Sequence, residues 1–94
     1  MDLLNNGTDS KVKVVLLFFA QSRELAEQKS AEISLPVETS REELLETITN
    51  LYPRISQIQN NIVLSVNQQY LEEECTVRLQ TGDEIAVIPP ISGG

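Results

Sequence analysis

Residues 12–19 read Val-Lys-Val-Val-Leu-Leu-Phe-Phe, with one polar side chain in eight. A run this continuous, and β-branched where it begins, offers almost no polar face to water. It predicts a strand buried on both faces near the centre of a sheet. Such a strand needs neighbours, and the chain supplies them. Residues 31–35 alternate, with Ile33 and Leu35 apolar and Glu32 and Ser34 polar, which predicts a strand with one wet face. Pro36 limits its continuation and favours an edge position. Residues 62–66 alternate again, and Asn67-Gln68 fits a turn into a short strand at Tyr70-Leu71. The last strand is residues 84–88, Glu-Ile-Ala-Val-Ile, entered through a turn in which Gly82 can take positive φ without steric cost.

Between these strands lies one clear helix. Ser40-Arg41-Glu42-Glu43 has the form of a capping box: Ser40 accepts from the N3 amide while Glu43 reaches back to the Ser40 amide. Leu44, Leu45, Ile48, Leu51 and Tyr52 then recur at helical spacing and predict one apolar stripe, and Pro53 stops it. A short helix is expected over residues 22–28, with Leu25 and Ala26 facing inward. The order β, short α, β, α, β, short β, β predicts an α+β domain in which a mixed sheet carries one main helix on one face. With the first and last strands parallel at the centre, this is the β-grasp, or ubiquitin-like, topology.

At 94 residues the chain supports a single core. Residues 1–10 are polar and aperiodic and are expected to form a flexible leader, residues 11–90 the domain, and residues 91–94 a tail. The formal net charge of −7 repels phosphate backbones and anionic lipid, which argues against nucleic acid and membrane as partners. With no His and Cys75 alone, there is no intramolecular disulfide, no imidazole or multi-thiolate zinc site and no histidine-based triad. No apolar run approaches the ~20 residues that span a bilayer, and the first residues lack a signal-peptide pattern. The expected location is the cytosol.

The chemistry is concentrated at the end, Pro89-Pro90-Ile91-Ser92-Gly93-Gly94. Two prolines favour an extended segment held away from the sheet. Two glycines without Cβ atoms can enter a passage too narrow for a side chain. A chance Gly-Gly terminus occurs in about 0.5% of chains of average composition. The free carboxylate, with a pKa near ~3.5, is ionised at neutral pH and is a poor electrophile. To transfer anything, it must first become an acyl adenylate. No phosphate-binding loop is present to hold ATP, so activation is expected from another protein, and the chain reads as substrate and carrier with no cofactor of its own.

The stretch Val12 to Ala20 followed by Arg23-Glu24-Leu25-Ala26, the Val66-Asn67-Gln68-Gln69-Tyr70 hairpin, and the segment from Gly82 to Gly94 together resemble the molybdopterin synthase small subunit, the sulfur carrier of that enzyme. The resemblance runs from about Lys11 to Gly94. It implies that an adenylating enzyme, using ATP, converts the Gly94 carboxylate to a glycyl adenylate and that a sulfur donor then makes a thiocarboxylate. It implies further that Pro89, Pro90, Ile91, Ser92 and Gly93 thread the tail into the large subunit, which supplies the general acid–base groups. There the sulfur attacks cyclic pyranopterin monophosphate, and two loaded carriers are consumed per dithiolene. The implied assembly is a heterotetramer, a large-subunit dimer with a small subunit at each end. The chain departs from the pattern at Ala26-Glu27, where many relatives have a glycine after the short helix.

Other features have blander readings. Val15, Leu17 and Phe19 lie opposite the helix-facing set, and this second apolar face is either a partner surface or buried under loops or the short helix. Glu72-Glu73-Glu74 reads as a solvated turn that could still pair with basic residues of the adenylating enzyme. Cys75 reads as a small apolar filler, and Arg23 and Arg78 as surface residues. The same tail would also serve a sulfur carrier for thiamin thiazole or tRNA thiolation, a protein modifier joined through Gly94, or a plain binding module. Pro89-Pro90-Ile91-Ser92 favours molybdopterin synthase.

Overall fold

The computed structural model describes residues 10–89. The expected leader, apart from Ser10, and the tail positions Pro90, Ile91, Ser92, Gly93 and Gly94 lie outside the described residues. Seven strands form: β1 (Lys11–Phe18), β2 (Ser30–Pro36), β3 (Glu38–Ser40), β4 (Val63–Val66), β5 (Gln69–Tyr70), β6 (Thr76–Arg78) and β7 (Glu84–Ile88). Two α-helices also form, α1 (Gln21–Ala26) and α2 (Arg41–Leu51), and 3-10 turns over Pro53–Asn61 follow α2. The main sheet has the order β2-β1-β7-β4-β5, and β1 and β7 run parallel with Leu16 opposite Ile85 and Phe18 opposite Val87. The expected pairing of first and last strands is thus the centre of the sheet. Ser30–Pro36 is an edge strand, as Pro36 required.

One face of this sheet carries the core. Val14, Leu16 and Phe18 of β1 meet Leu44 and Ile48 of α2, with Leu64, Ile85 and Val87 completing the layer. Burying each such aliphatic side chain contributes roughly 1.5–3 kcal/mol. Leu51, expected in the helical stripe, is instead 51% exposed. The helix has already run off the edge of the core at its last turn. The aromatic filling comes from Tyr52, whose ring meets Phe18 edge to face at a centroid distance of 5.0 Å.

The capping box forms by half. Ser40 Oγ accepts the Glu43 amide at 3.1 Å, but the Glu43 carboxylate accepts the Thr39 hydroxyl at 3.2 Å. The side chain reaches Thr39 because that residue is buried in a second, two-stranded sheet of β3 and β6. Sequence reading missed this sheet, since two three-residue strands carry no periodicity long enough to register. The 3-10 turns were also unforeseen.

The first strand corrects one expectation. Lys11 and Lys13 are exposed and Val15 and Leu17 only half-buried, so β1 is covered on one face and not on both.

The turn after α1 keeps a left-handed residue without glycine. Glu27 sits at φ 62°, ψ 31° and its amide caps the helix by donating to the Arg23 carbonyl. A side chain in this region costs about 1–2 kcal/mol. Arg54 pairs with the Glu27 carboxylate at 2.7 Å, but both groups are exposed and the pair offsets ~1 kcal/mol at most. Glu27→Gly is therefore expected to stabilise the domain by up to about 1 kcal/mol, a rise of ~4–8 °C in Tm. An unchanged or lowered melting temperature would refute the strain.

Candidate functional site: the root of the tail and the outer face of the sheet

Pro89, the first tail residue, is buried directly after β7. Pro89 is the last described residue and is packed against the folded unit. The tail therefore starts from a fixed point. That point is the end of the most enclosed strand: β7 has β1 on one side and β4 on the other, with Phe18 opposite Val87 and Val63 opposite Ile88.

Strand register shows what surrounds this root. Residues opposite each other in a sheet share a face, so Val15 and Leu17 of β1 lie on the same side as Ala86 of β7 and Ser65 of β4. Ile88, two residues on, lies on that side as well, paired with Val63. Val15, Leu17, Ala86 and Ile88 are half-buried, and Val63 is 37% exposed. Phe19, just past β1, is 47% exposed. The outer face thus presents a continuous apolar strip across β1, β7 and β4, and the strip ends where the tail begins. Of the two readings of Val15, Leu17 and Phe19, the exposed Phe19 and the partly exposed Val15 and Leu17 favour the partner surface.

At the other end of β7, the chain is fixed by polar contacts. Gly82 takes φ +91°, and the Asp83 carboxylate accepts from the Gln80 amide at 2.8 Å and from Asn67 Nδ2 at 3.0 Å. Asn67 and Gln68 both have positive φ, the requirement of a two-residue hairpin turn. A surface cleft of about 550 Å3 near this end is lined by Val66, Tyr70, Leu71, Cys75, Val77 and Asp83. It lies a strand's length from Pro89. Cys75 is partly exposed there, and Glu72, Glu73 and Glu74 are fully solvated. Arg23 and Arg78 are on the surface, Arg78 paired with Glu38 at 2.8 Å.

Among the described residues no group of three or more His, Cys, Asp or Glu side chains is placed to hold a metal ion. No helix among them is long and apolar enough to cross a membrane. What the described geometry offers is a sheet with a partly exposed apolar face and Pro89 packed at the end of its middle strand.

The fold, a five-stranded mixed sheet with parallel central strands and a helix layer on one side, is a ubiquitin-like β-grasp. Comparison with known proteins agrees. A putative molybdopterin converting factor subunit 1 from Pyrococcus furiosus superimposes with a TM-score of 0.70 at 27% identity, over 85% of this chain and 99% of that one. A chain from the complex of subunits 1 and 2 of the molybdopterin-converting factor of Helicobacter pylori matches in fold, with a TM-score of 0.63 at 19% identity over 88% of this chain and 100% of that one. In sequence, the molybdopterin synthase sulfur carrier subunit of Anopheles gambiae is 49% identical over 95% of this chain and 99% of its own length. The ThiS family profile matches residues 16–94. The chain belongs to the ThiS family and, within it, to the molybdopterin synthase sulfur carrier subunits.

Proposed function

We propose that this chain carries sulfur on its C-terminal Gly94 and delivers it inside molybdopterin synthase to cyclic pyranopterin monophosphate, forming the dithiolene. The observation that supports this most is the 49% identity, over nearly the whole of both chains, to a molybdopterin synthase sulfur carrier subunit. An activating enzyme uses ATP to join AMP to the Gly94 carboxylate, releasing pyrophosphate. A sulfur donor then displaces AMP and leaves the thiocarboxylate. The weak carboxylate electrophile thereby becomes a sulfur nucleophile at the tip of a tail. After transfer, hydrolysis of the acyl link restores Gly94.

The partner in this reading is the large subunit, in a heterotetramer of two large and two small subunits in the cytosol. The solved bacterial complex of subunits 1 and 2 supports a two-protein assembly. The apolar strip formed by Val15, Leu17, Val63, Ala86 and Ile88 is the surface we assign to docking, since it leads directly into the tail. Pro90, Ile91, Ser92 and Gly93 then pass through the partner's channel, starting from the packed Pro89. The chain supplies sulfur and geometry, and the partner supplies proton transfer.

Intact-mass measurement after co-production with the activating enzymes tests the loaded state. One oxygen should be replaced by sulfur, and fragmentation should place it on Gly94. Isopeptide attachment to lysines with no thiocarboxylate would replace this reading with that of a protein modifier. Normal pterin cofactor in a deletion strain that has lost thiamin or tRNA thiolation would assign the chain to one of those pathways.

A further inference from the structure

The parallel ladder between β1 and β7 is interrupted at its last rung by a side chain. Val15 donates its amide to the Asp83 carbonyl at 2.9 Å. Rungs of a parallel pair repeat every two residues, which puts the rung beyond Leu17 at Phe19 N–H to the Val87 carbonyl. The Phe19 amide donates instead to Ser22 Oγ at 3.0 Å, and the Ser22 hydroxyl lies 2.8 Å from the Val87 carbonyl oxygen. The hydroxyl accepts on one side and donates on the other, so a single oxygen is spliced into the ladder. Ser22 has no exposed surface. Its oxygen also lies 2.9 Å from the Phe19 carbonyl, but that carbonyl already accepts the Ser22 amide at 3.1 Å, which leaves Val87 as the acceptor in need of the proton.

The turn that brings Ser22 into place is strained. Ala20 takes φ 52°, ψ −124°, the conformation of the first central residue of a type II′ turn, where glycine is the usual occupant. Holding alanine there works against folding, and it is maintained because the turn returns Ser22 to the ladder. The splice lies two residues before Pro89, at the root of the tail, and beside the exposed Phe19.

We propose that Ser22 is a positioning residue for sulfur transfer. Its hydroxyl sets the separation of β1 and β7 at Val87 and so fixes the point and direction from which the chain leaves Pro89. The inference rests on the sulfur-carrier reading. A carrier whose tail must place one atom against a bound substrate gains from a fixed root, since an ~1 Å displacement can cost about 100-fold in rate.

The test uses loaded full-length chain with the large subunit and pterin precursor, in single turnover at saturating large subunit. Ser22→Ala, Ser22→Cys and Ser22→Thr are compared with wild type and with Ile55→Val, a buried change outside α1, β1 and β7 that lowers stability. All are assayed at a temperature where each is folded. For Ser22→Ala the maximal transfer rate should fall about tenfold or more while the Kd for the large subunit stays within about twofold. Hydrogen exchange of the Phe19 amide should accelerate in the same variant. Ser22→Cys, a weaker donor of similar shape, should fall between, and Ser22→Thr should restore both rate and protection. Ile55→Val should transfer at the wild-type rate. A Ser22→Ala or Ser22→Cys rate equal to that of Ile55→Val would overturn the positioning role while leaving the carrier reading intact. Absence of transfer from loaded wild type would overturn the carrier reading and this inference with it.

Discussion

Gly94→Val is expected to reduce molybdopterin formation by orders of magnitude while leaving the melting temperature almost unchanged. The position lies past β7 and past Pro89, the last described residue. A substitution there is expected to leave the core intact, so the stability change should stay below ~0.5 kcal/mol. The proposed chemistry takes place at the carboxyl carbon of that residue. Added side-chain carbons must pass a channel shaped for glycine and must not displace the sulfur from its target, where an ~1 Å error costs about 100-fold. Gly93→Ala should act in the same direction with a smaller loss. One residue appended after Gly94 should be as damaging as valine, because it moves the carboxylate off the activating site. The measurement is product formation from purified large subunit, precursor and each variant after loading, with thermal melts alongside. Near-normal loading and transfer by Gly94→Val would disprove the narrow channel, and a sharply lowered melting temperature would place Gly94 in the core.

A single negative charge on the outer face should separate the carrier from its partner. Val63→Asp and Phe19→Asp place a carboxylate on or beside the strip that ends at Ile88, at positions exposed enough for the free domain to solvate it. In a docked complex that carboxylate would lose its water against an apolar surface. Interface positions of this kind cost ~2 kcal/mol or more when disrupted, about a 30-fold rise in Kd for the large subunit. The free domain should lose ~1 kcal/mol or less from the strand preference against Asp at residue 63. Asn50→Asp, exposed on α2 in the other layer, adds the same charge and should bind as wild type. Equal binding by all three variants would remove the outer face from the interface.

The central first strand and the one main helix were legible because each rests on local residue chemistry. Asn67-Gln68 and Gly82 announced turns that the backbone then adopts with positive φ, and Ser40 announced the start of α2. The small β3–β6 sheet was not legible, because three-residue strands are held by pairing partners 36 or more residues away and not by their own pattern. Leu51 was misplaced because periodicity gives the direction of a side chain but not the length of the surface it faces.

The apolar run of β1 shows the same division. The residues dictated a strand in the middle of a sheet, and both faces looked fit for burial. Only the tertiary structure decided that, among the described residues, one face meets α2 and the other stays partly exposed, since coverage depends on how many layers the fold has. The splice at Ser22 is likewise invisible in sequence, where it is one serine opening a short helix. It becomes a structural element because folding brings its hydroxyl to 2.8 Å from a carbonyl 65 positions away. Sequence determined the strands of the main sheet and the main helix, through local chemistry and periodicity. The tertiary structure determined which surfaces stayed open and what holds the root of the tail, because both are set by contacts between segments that the chain keeps far apart.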